Sequence, residues 1–220
     1  MIFAKIDFIN LLPFYIFIKR NIKSSQIKAI INYKKSYPSK INKQYKKRKI
    51  DAAFISSITT KNCNCLDIGI VAKDEVLSVL SIKGDYKEDF QSQTSNALAK
   101  ILDLNGEVII GDKALEYYYN NTNNQDDFID LAKRWKIKYN LPFVFARLCT
   151  HKHTTYINNL SKKFLIKKTK IPQYILKQYA TRSNLSAKQI THYIDKISYK
   201  LGYKEKQSLK KFLQLTKDIK

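Results

Sequence analysis

The sequence predicts an α/β fold that ends in an all-helical C-terminal part. In the first half of the chain, short β-branched runs alternate with helix-like runs, which is the pattern of strands joined by helical crossovers. From Thr154 onward, apolar residues recur at four-residue spacing with lysine between them, as in amphipathic helices. A chain of 220 residues is long enough to bury a core and can form one large domain or two small ones.

The first turn of the chain combines an amide with a proline. A β-prone run, Met1–Ile9, stops at Asn10, and Pro13 then fits the first turn of an apolar helix, Phe14–Ile18. Asn10 has two interpretations. It either caps the helix or faces a ligand, because open α/β sheets bind ligands at the carboxyl ends of their strands.

The next segments predict two strands with a helix between them. Ile27–Tyr33 is short and β-branched, and Ser39–Arg48 has a lysine-rich helical pattern. Ile50–Ile55 is again β-prone and ends at Ser56 and Ser57. This order predicts parallel strand pairing through right-handed crossovers.

A hairpin is predicted after these elements, from the β runs Leu66–Val71 and Glu75–Ile82. The second run is almost continuously apolar, which indicates a strand that is covered on both faces. It contains one hydroxyl of interest, Ser78, which either bonds to backbone or points into a cleft.

Hydroxyls also precede the next helix. Thr94 and Ser95 lead into Asn96–Leu102, so they either cap this helix or bind an anion together with its free N–H groups. Farther on, the pattern predicts a strand, a helix and an extended segment in Val108–Asp112, Phe128–Tyr139 and Leu141–Ala146.

The formal net charge of +23 is compatible with nucleic-acid binding. We set this interpretation aside because the excess is mostly lysine, spread along the chain with abundant isoleucine, asparagine and tyrosine, as in A/T-rich coding. Arginine, which makes bidentate phosphate and guanine contacts, is rare. The five glycines form no Gly-x-Gly or Gly-Lys-Ser/Thr pattern, which argues against nucleotide-binding loops.

The cysteines predict reduced structural thiols. Cys63, Cys65 and Cys149 are odd in number, and the first two are one residue apart, which does not make a disulfide framework. The three histidines add no obvious ligand set, so no metal site is predicted. The chain has no convincing signal peptide and no apolar run of membrane-spanning length. We therefore expect a cytoplasmic protein with no membrane partner.

An ordered set of segments carries a resemblance to a known family: Asp7–Pro13, Asp51–Ser57, Val76–Val79, Thr94–Ser95, Ile110–Leu115 and Trp135–Ala146. From its start to about Ala146, the chain resembles the chorismate dehydratases of the futalosine route to menaquinone. The resemblance implies the two-lobed fold of type II periplasmic binding proteins, with the ligand between the lobes. Two crossing hinge strands, Val76–Ile82 and Phe143–Cys149, are expected to join the lobes.

The resemblance also implies a division of the chain. Residues 1–82 and 148–220 are expected to form lobe I, with the C-terminal helices, and residues 83–147 to form lobe II. Lobe II is expected to be smaller than usual in the family. Only Asp103–Gly106 separates the helix after Ser95 from the next strand, where relatives carry an additional segment.

The implied reaction removes water from chorismate and gives 3-[(1-carboxyvinyl)oxy]benzoate. Because the ring becomes aromatic, no metal or organic cofactor is demanded, and the expected partner is a small dicarboxylate. The resemblance assigns Asn10 and Ser78 to the reacting centre. Neither is a strong base, so a substrate carboxylate is expected to take the ring proton. The implied substrate-binding residues are Leu11, Ser56, Ser57, Thr94, Ser95 and Asp112, the last by orienting N–H groups.

Three other functions stay open. A sister enzyme of the same pathway makes 1,4-dihydroxy-6-naphthoate. A solute-binding protein for a small carboxylate would return its ligand unchanged. A basic nucleic-acid binder would show steeply salt-dependent binding to DNA or RNA.

Overall fold

The computed structural model describes residues 1–167 and 169–219. In this part of the chain the strands are β1 (Lys5–Ile6), β2 (Lys35–Ser36), β3 (Ala52–Ser56), β4 (Cys65–Ala72), β5 (Val79–Ile82), β6 (Glu107–Ile110), β7 (Phe128–Asp130), β8 (Phe143–Thr150) and β9 (Ile197–Lys200). The helices are α1 (Leu12–Asn21), α2 (Ser25–Tyr33), α3 (Pro38–Lys46), α4 (Gln93–Ile101), α5 (Gly111–Asn120), α6 (Leu131–Tyr139), α7 (Thr154–Ile166), α8 (Gln173–Ser183), α9 (Ala187–Lys196) and α10 (Tyr203–Leu215). Short 3-10 helices span Ile9–Leu11, Ser57–Asn62 and Gln125–Asp127.

The main sheets are antiparallel. One has four strands in the order β3-β8-β4-β9, and the other has three in the order β6-β5-β7. Parallel pairing joins β1 with β2, Phe3 with Ala52 of β3, and Lys87 with Glu107. The parallel pairing predicted for the first half is therefore found, although its middle strand lies at Lys35–Ser36 and not at Ile27–Tyr33. The four-stranded sheet is antiparallel because β8, from much later in the chain, lies between β3 and β4 and runs against both.

The chain crosses between the two sheets twice. It leaves the four-stranded sheet after β4, passes through residues 73–78, and enters the three-stranded sheet at β5. It returns through residues 140–142, between α6 and β8. Each sheet carries helices of its own, and α7 to α10 follow the second crossing. The predicted hairpin of β4 and β5 is wrong because the two strands belong to different sheets.

Three other local predictions are wrong. Ile27–Tyr33 lies in α2, whose N-cap is Ser24 with its side chain bonded to the Ile27 N–H. The C-terminal part is not wholly helical, because β9 adds an edge strand beside β4. The predicted helix from Phe128 begins only at Leu131, because the preceding three residues pair with β5.

The cysteine prediction is also wrong. Cys65 and Cys149 form a disulfide, whereas Cys63 is free. The two bonded residues are directly opposite each other in the antiparallel pair of β4 and β8. Their 84-residue separation in sequence hides this register, so counting cysteines does not find the pair.

A continuous core links the N-terminal and C-terminal parts of the chain. The ring of Phe14 in α1 makes edge-on contacts with Phe54 of β3 and Phe164 of α7, at centroid distances of 5.0 and 5.2 Å. Trp135 of α6 is fully buried, and its indole N–H donates to Ser208 Oγ of α10 at 3.0 Å. No helix in the described ranges is long and apolar enough to cross a membrane.

We predict that Gly69→Ala lowers the free energy of unfolding by about 1–3 kcal/mol, measured by urea denaturation. A methyl group on Gly69 would overlap the Ala146 carbonyl oxygen on β8 and lie 2.7 Å from Leu201 Cδ1. Gly202→Ala is the matched control, because its methyl group would meet one side-chain atom and no backbone, Glu205 Oε2 at 3.0 Å. Equal stability of the two variants would contradict the packing described here.

Candidate active site

The candidate active site is a cavity lined by residues of both sheets. It has about 510 Å³ of atom-free space, part of which is open to solvent. Its polar lining is one amide and four hydroxyls: Asn10, Ser56, Ser78, Ser92 and Ser95. The rest of the lining is apolar. Among the described residues, none of the lining side chains carries a charge.

Asn10 lies in the 3-10 helix that turns the chain from β1 into α1. It does not cap α1, because Leu11 occupies the N-cap position and no side chain bonds there. Asn10 is 9 % exposed, and its Oδ1 is buried without a hydrogen-bond partner among the described residues. A buried polar atom without a partner costs about 1–3 kcal/mol. This oxygen is therefore available as an acceptor for a ligand in the cavity.

Ser78 follows a strained turn in the first crossing between the sheets. Leu77 has a φ of +58°, in the left-handed region that side chains of this kind rarely adopt. The Ser78 N–H donates to the Val76 carbonyl at 2.7 Å, which closes a three-residue turn. The Ser78 carbonyl in turn accepts the Gly111 N–H at 2.8 Å. Strained conformations of this kind persist where surrounding contacts impose them, commonly at functional sites.

Asp130 is the contact that imposes this turn. Its Oδ2 accepts the N–H groups of Val76 and Leu77 at 2.9 and 2.7 Å. Its Oδ1 accepts those of Ala132 and Lys133 at 2.9 and 3.0 Å, which caps α6. Burial raises the pKa of Asp130 to about 6, although these N–H groups oppose the rise. One buried carboxylate thus fixes both the turn before Ser78 and the start of α6.

Two of the cavity serines have hydroxyl oxygens that already accept a hydrogen bond from a buried side chain. Ser56 Oγ accepts from Asn42 Nδ2 at 2.8 Å, and Ser78 Oγ accepts from the Tyr193 hydroxyl at 2.8 Å. A serine hydroxyl whose oxygen is used in this way still has its own proton to donate. Both serines therefore offer donors to a ligand.

Ser92 and Ser95 stand at the N-terminus of α4. Ser92 is its N-cap and accepts the Ser95 N–H at 3.2 Å, and the two hydroxyls share a hydrogen bond of 2.8 Å. The helix dipole and the unpaired first N–H groups of a helix favour anions at this end. The N-terminus of α4 thus complements the donor character of the other cavity serines.

Four of the six predicted substrate-binding residues lie outside the cavity lining: Leu11, Ser57, Thr94 and Asp112. Leu11 is fully buried in the core. The Ser57 hydroxyl donates to the Val144 carbonyl at 2.5 Å, and Thr94 Oγ1 accepts the Ile58 N–H at 3.2 Å. These side chains are engaged with the protein itself, around the cavity rather than in its wall.

Asp112, at the start of α5, also lies outside the lining and instead binds the turn that carries Asn10. Its Oδ1 accepts the Ile9 N–H at 3.2 Å, and its Oδ2 accepts from Arg182 of α8 at 2.6 Å. Arg182 also pairs with Asp7 at 3.0 Å. Burial raises the pKa of Asp112, and the guanidinium opposes the rise. The carboxylate thus ties α5 and α8 to the residue that directly precedes Asn10.

Two tyrosines of the C-terminal part reach the site, and sequence reasoning missed both. The Tyr193 hydroxyl of α9 donates to Ser78 Oγ, and the Tyr199 hydroxyl of β9 donates to the Asn10 carbonyl at 2.6 Å. Both tyrosines lie in a stretch whose apolar spacing predicted amphipathic helices and no site residues. A tyrosine within an apolar stripe is the signal that was available, because a buried hydroxyl usually finds a partner.

A second, more open depression lies elsewhere on the surface and holds about 1010 Å³. None of the sequence-predicted site residues lines it, and its cationic side chains are Lys61, Arg147, Lys206, Lys210 and Lys217. Within the described ranges, no group of three or more His, Cys, Asp or Glu residues could hold a metal ion. The first cavity therefore remains the candidate site.

Comparison with known proteins identifies the family. A family model described as menaquinone biosynthesis matches residues 87–218. A curated chorismate dehydratase of Campylobacter jejuni subsp. jejuni is 47% identical over 224 residues, covering 100% of this chain and 99% of that protein. The chain belongs to the menaquinone biosynthesis family. The matched range contains Ser92, Ser95 and both C-terminal tyrosines, so these features lie within the family's own segment.

Solved structures confirm the fold expected for this member of the menaquinone biosynthesis family. A protein of Archaeoglobus fulgidus superposes with a TM-score of 0.62 at 11% identity, over 98% of this chain and 96% of that one. A Candida albicans protein described as having the generic periplasmic binding protein fold gives 0.55 at 10% identity, over 99% and 90%. An ABC transporter of Parabacteroides distasonis gives 0.54 at 14% identity, over 99% and 91%. At these identities the likeness shows the two-lobed fold alone.

We predict that Asp130→Ser lowers the free energy of unfolding by about 2 kcal/mol or more, measured by urea denaturation. The shorter hydroxyl can still cap α6 but leaves the Val76 and Leu77 N–H groups without an acceptor, at about 1–3 kcal/mol each. Ser24→Ala, which removes one exposed cap bond from α2, is the control and should cost about 1 kcal/mol or less. A loss no larger than in this control would show that Asp130 does not hold the turn.

Proposed function

We propose that this chain is a chorismate dehydratase that eliminates water from chorismate and forms 3-[(1-carboxyvinyl)oxy]benzoate in menaquinone biosynthesis through futalosine. The observation that carries the proposal is the 47% identity, over the full chain, to a curated protein of that name. The cavity supports it independently, because Asn10 and Ser78 both line it.

The cavity can bind a dicarboxylate without a cationic side chain. The Ser56 and Ser78 hydroxyls keep their protons for a ligand, and the N-terminus of α4 adds N–H groups and a favourable dipole. Neutral donors in a largely apolar cavity bind charge through preorganised dipoles and do not need to reorganise during the reaction. In our proposal one substrate carboxylate lies at Ser92 and Ser95, at the N-terminus of α4.

Asn10 and Ser78 act on the leaving hydroxyl of the ring. The unpaired Oδ1 of Asn10 accepts the proton of that hydroxyl in a hydrogen bond, and the Ser78 hydroxyl donates to its oxygen. A substrate carboxylate takes the neighbouring ring proton, and the C–H electron pair becomes the third double bond of the ring. The C–O bond breaks, and the departing oxygen takes the proton back from the newly formed carboxylic acid, so that water leaves and the carboxylate is restored. No electrons are exchanged with another molecule, so the elimination itself requires no redox cofactor.

Two further features belong to the proposal. The two lobes expected at 1–82 with 148–220 and at 83–147 are proposed with shifted boundaries, because β5 pairs in the three-stranded sheet and β8 in the four-stranded one, so that the chain crosses at 73–78 and 140–142. Closure of the lobes around the substrate would exclude water. The reaction is proposed to run in the cytoplasm, with no nucleic-acid or membrane partner.

The test is incubation of the purified protein with chorismate. We predict a new aromatic absorbance and a product lighter than chorismate by one water in mass spectrometry. Asn10→Ala and Ser78→Ala should each lower turnover by about 100-fold or more while the protein stays folded, as losses of single preorganised polar groups do.

Asn21→Ala is the matched control, because it removes an amide that donates only to the Phe17 carbonyl within α1. Its turnover should equal that of the unmodified protein. Recovery of chorismate unchanged, from folded protein, would refute the proposal and favour a solute-binding role or the sister enzyme. Full activity of either active-site variant would refute the assignment of that residue.

A further inference from the structure

Tyr193 is a side chain that no part of the proposed reaction yet uses. It lies on α9, is 1 % exposed, and donates its hydroxyl proton to Ser78 Oγ across 115 residues of sequence. The acceptor is itself 1 % exposed. A hydrogen bond between two groups so well buried is not exchanged readily for one with water. It therefore sets the local geometry of Ser78.

The bond from Tyr193 favours a donor role for the Ser78 hydroxyl. The backbone of Ser78 is already engaged, its N–H with the Val76 carbonyl and its carbonyl with the Gly111 N–H. Its hydroxyl oxygen is engaged by Tyr193. Within the described ranges no protein acceptor takes the Ser78 proton. One lone pair of Oγ is used by Tyr193 and the Ser78 proton is not, so this residue is disposed to donate to a ligand in the cavity.

Tyr193 keeps this direction because it holds its own proton. Burial raises the pKa of Tyr193 well above its ordinary value, and the carboxylates of Asp112 and Asp130 add to the rise. A phenol whose pKa is raised keeps its proton at neutral pH and can donate it in a hydrogen bond. If Tyr193 ionised, the hydrogen bond would reverse, and Ser78 would donate its proton to the phenolate.

Tyr199 makes the arrangement more than a single contact. Its hydroxyl donates to the carbonyl of Asn10 at 2.6 Å, so both residues assigned to the leaving hydroxyl are held by tyrosines of consecutive elements, α9 and β9. In contrast, the fully buried Tyr45 has a hydroxyl without a partner in the described ranges. Burial of a tyrosine in this fold thus does not by itself create such a bond.

We propose that Tyr193 is a positioning residue that holds Ser78 as the hydrogen-bond donor to the leaving hydroxyl. The inference rests on the proposed function, because the leaving hydroxyl is that of chorismate. Tyr193 itself transfers no proton and touches no reacting atom. It acts through Ser78, whose hydroxyl oxygen accepts its proton, which makes its contribution separable from a structural one.

The test is a double-mutant cycle with Tyr193→Phe and Ser78→Ala, measured as kcat and KM for chorismate, with single-turnover rates at excess enzyme for the slow variants. Tyr193→Phe should lower kcat by about tenfold, the effect of one buried hydrogen bond of about 1.4 kcal/mol, and leave KM within about threefold. In the Ser78→Ala background the same change should have no further effect, because the group it orients is gone.

Tyr45→Phe is the matched control and should keep kcat without lowering the thermal midpoint of unfolding, since it removes a buried hydroxyl that has no partner among the described residues. Unchanged kcat in Tyr193→Phe would overturn the inference. So would a tenfold loss that persists in the Ser78→Ala background, because Tyr193 would then act independently of Ser78. If the unmodified protein does not convert chorismate, the proposed function fails first. Conversion by that protein with no effect of Tyr193→Phe would refute only the positioning role.

Discussion

A serine hydroxyl that accepts a hydrogen bond from a buried side chain keeps its own proton for a ligand, and the candidate site depends on this arrangement. Asn42 fixes Ser56 in this way, and Tyr193 fixes Ser78. The result is a cavity without lining charges that still presents donors to an anion. Placing lysine or arginine in the wall would bind a dicarboxylate more simply. It would also stabilise the substrate and the transition state alike, which does not accelerate the chemical step.

The donors keep their directions because the chain is held at the first crossing and at the N-terminal turn. Asp130 supplies both oxygens of one carboxylate to the turn before Ser78 and to the start of α6. Asp112 does the same for the residue before Asn10 and for Arg182. Each buried carboxylate thus links two elements that are distant in sequence. The strained Leu77 is the local cost of presenting Ser78, and the surrounding bonds offset it.

The sequence predicts the elements near the site better than it predicts the long-range contacts that hold the site's side chains in place. Asn10, Ser56, Ser78 and Ser95 line the cavity, because each lies at a strand end or helix start that local patterns reveal. Local patterns do not predict the antiparallel pairings of β8 with β3 and β4, because β8 follows both strands by more than 70 residues. The same long-range packing hides the tyrosine contacts and the Cys65–Cys149 bond. A polar residue inside an apolar helix stripe has no visible partner until the fold is known.

The most direct test of this account is a crystal structure of the Ser78→Ala variant with chorismate bound. The account predicts chorismate in the cavity between the sheets, with its ring hydroxyl within hydrogen-bond distance of Asn10 Oδ1 and a carboxylate at the N-terminus of α4. Chorismate bound in the same cavity with its hydroxyl turned away from Asn10 would contradict the proposed roles of Asn10 and Ser78. Chorismate bound only in the second, more open depression, beside Lys206 and Lys210, would contradict the choice of site itself.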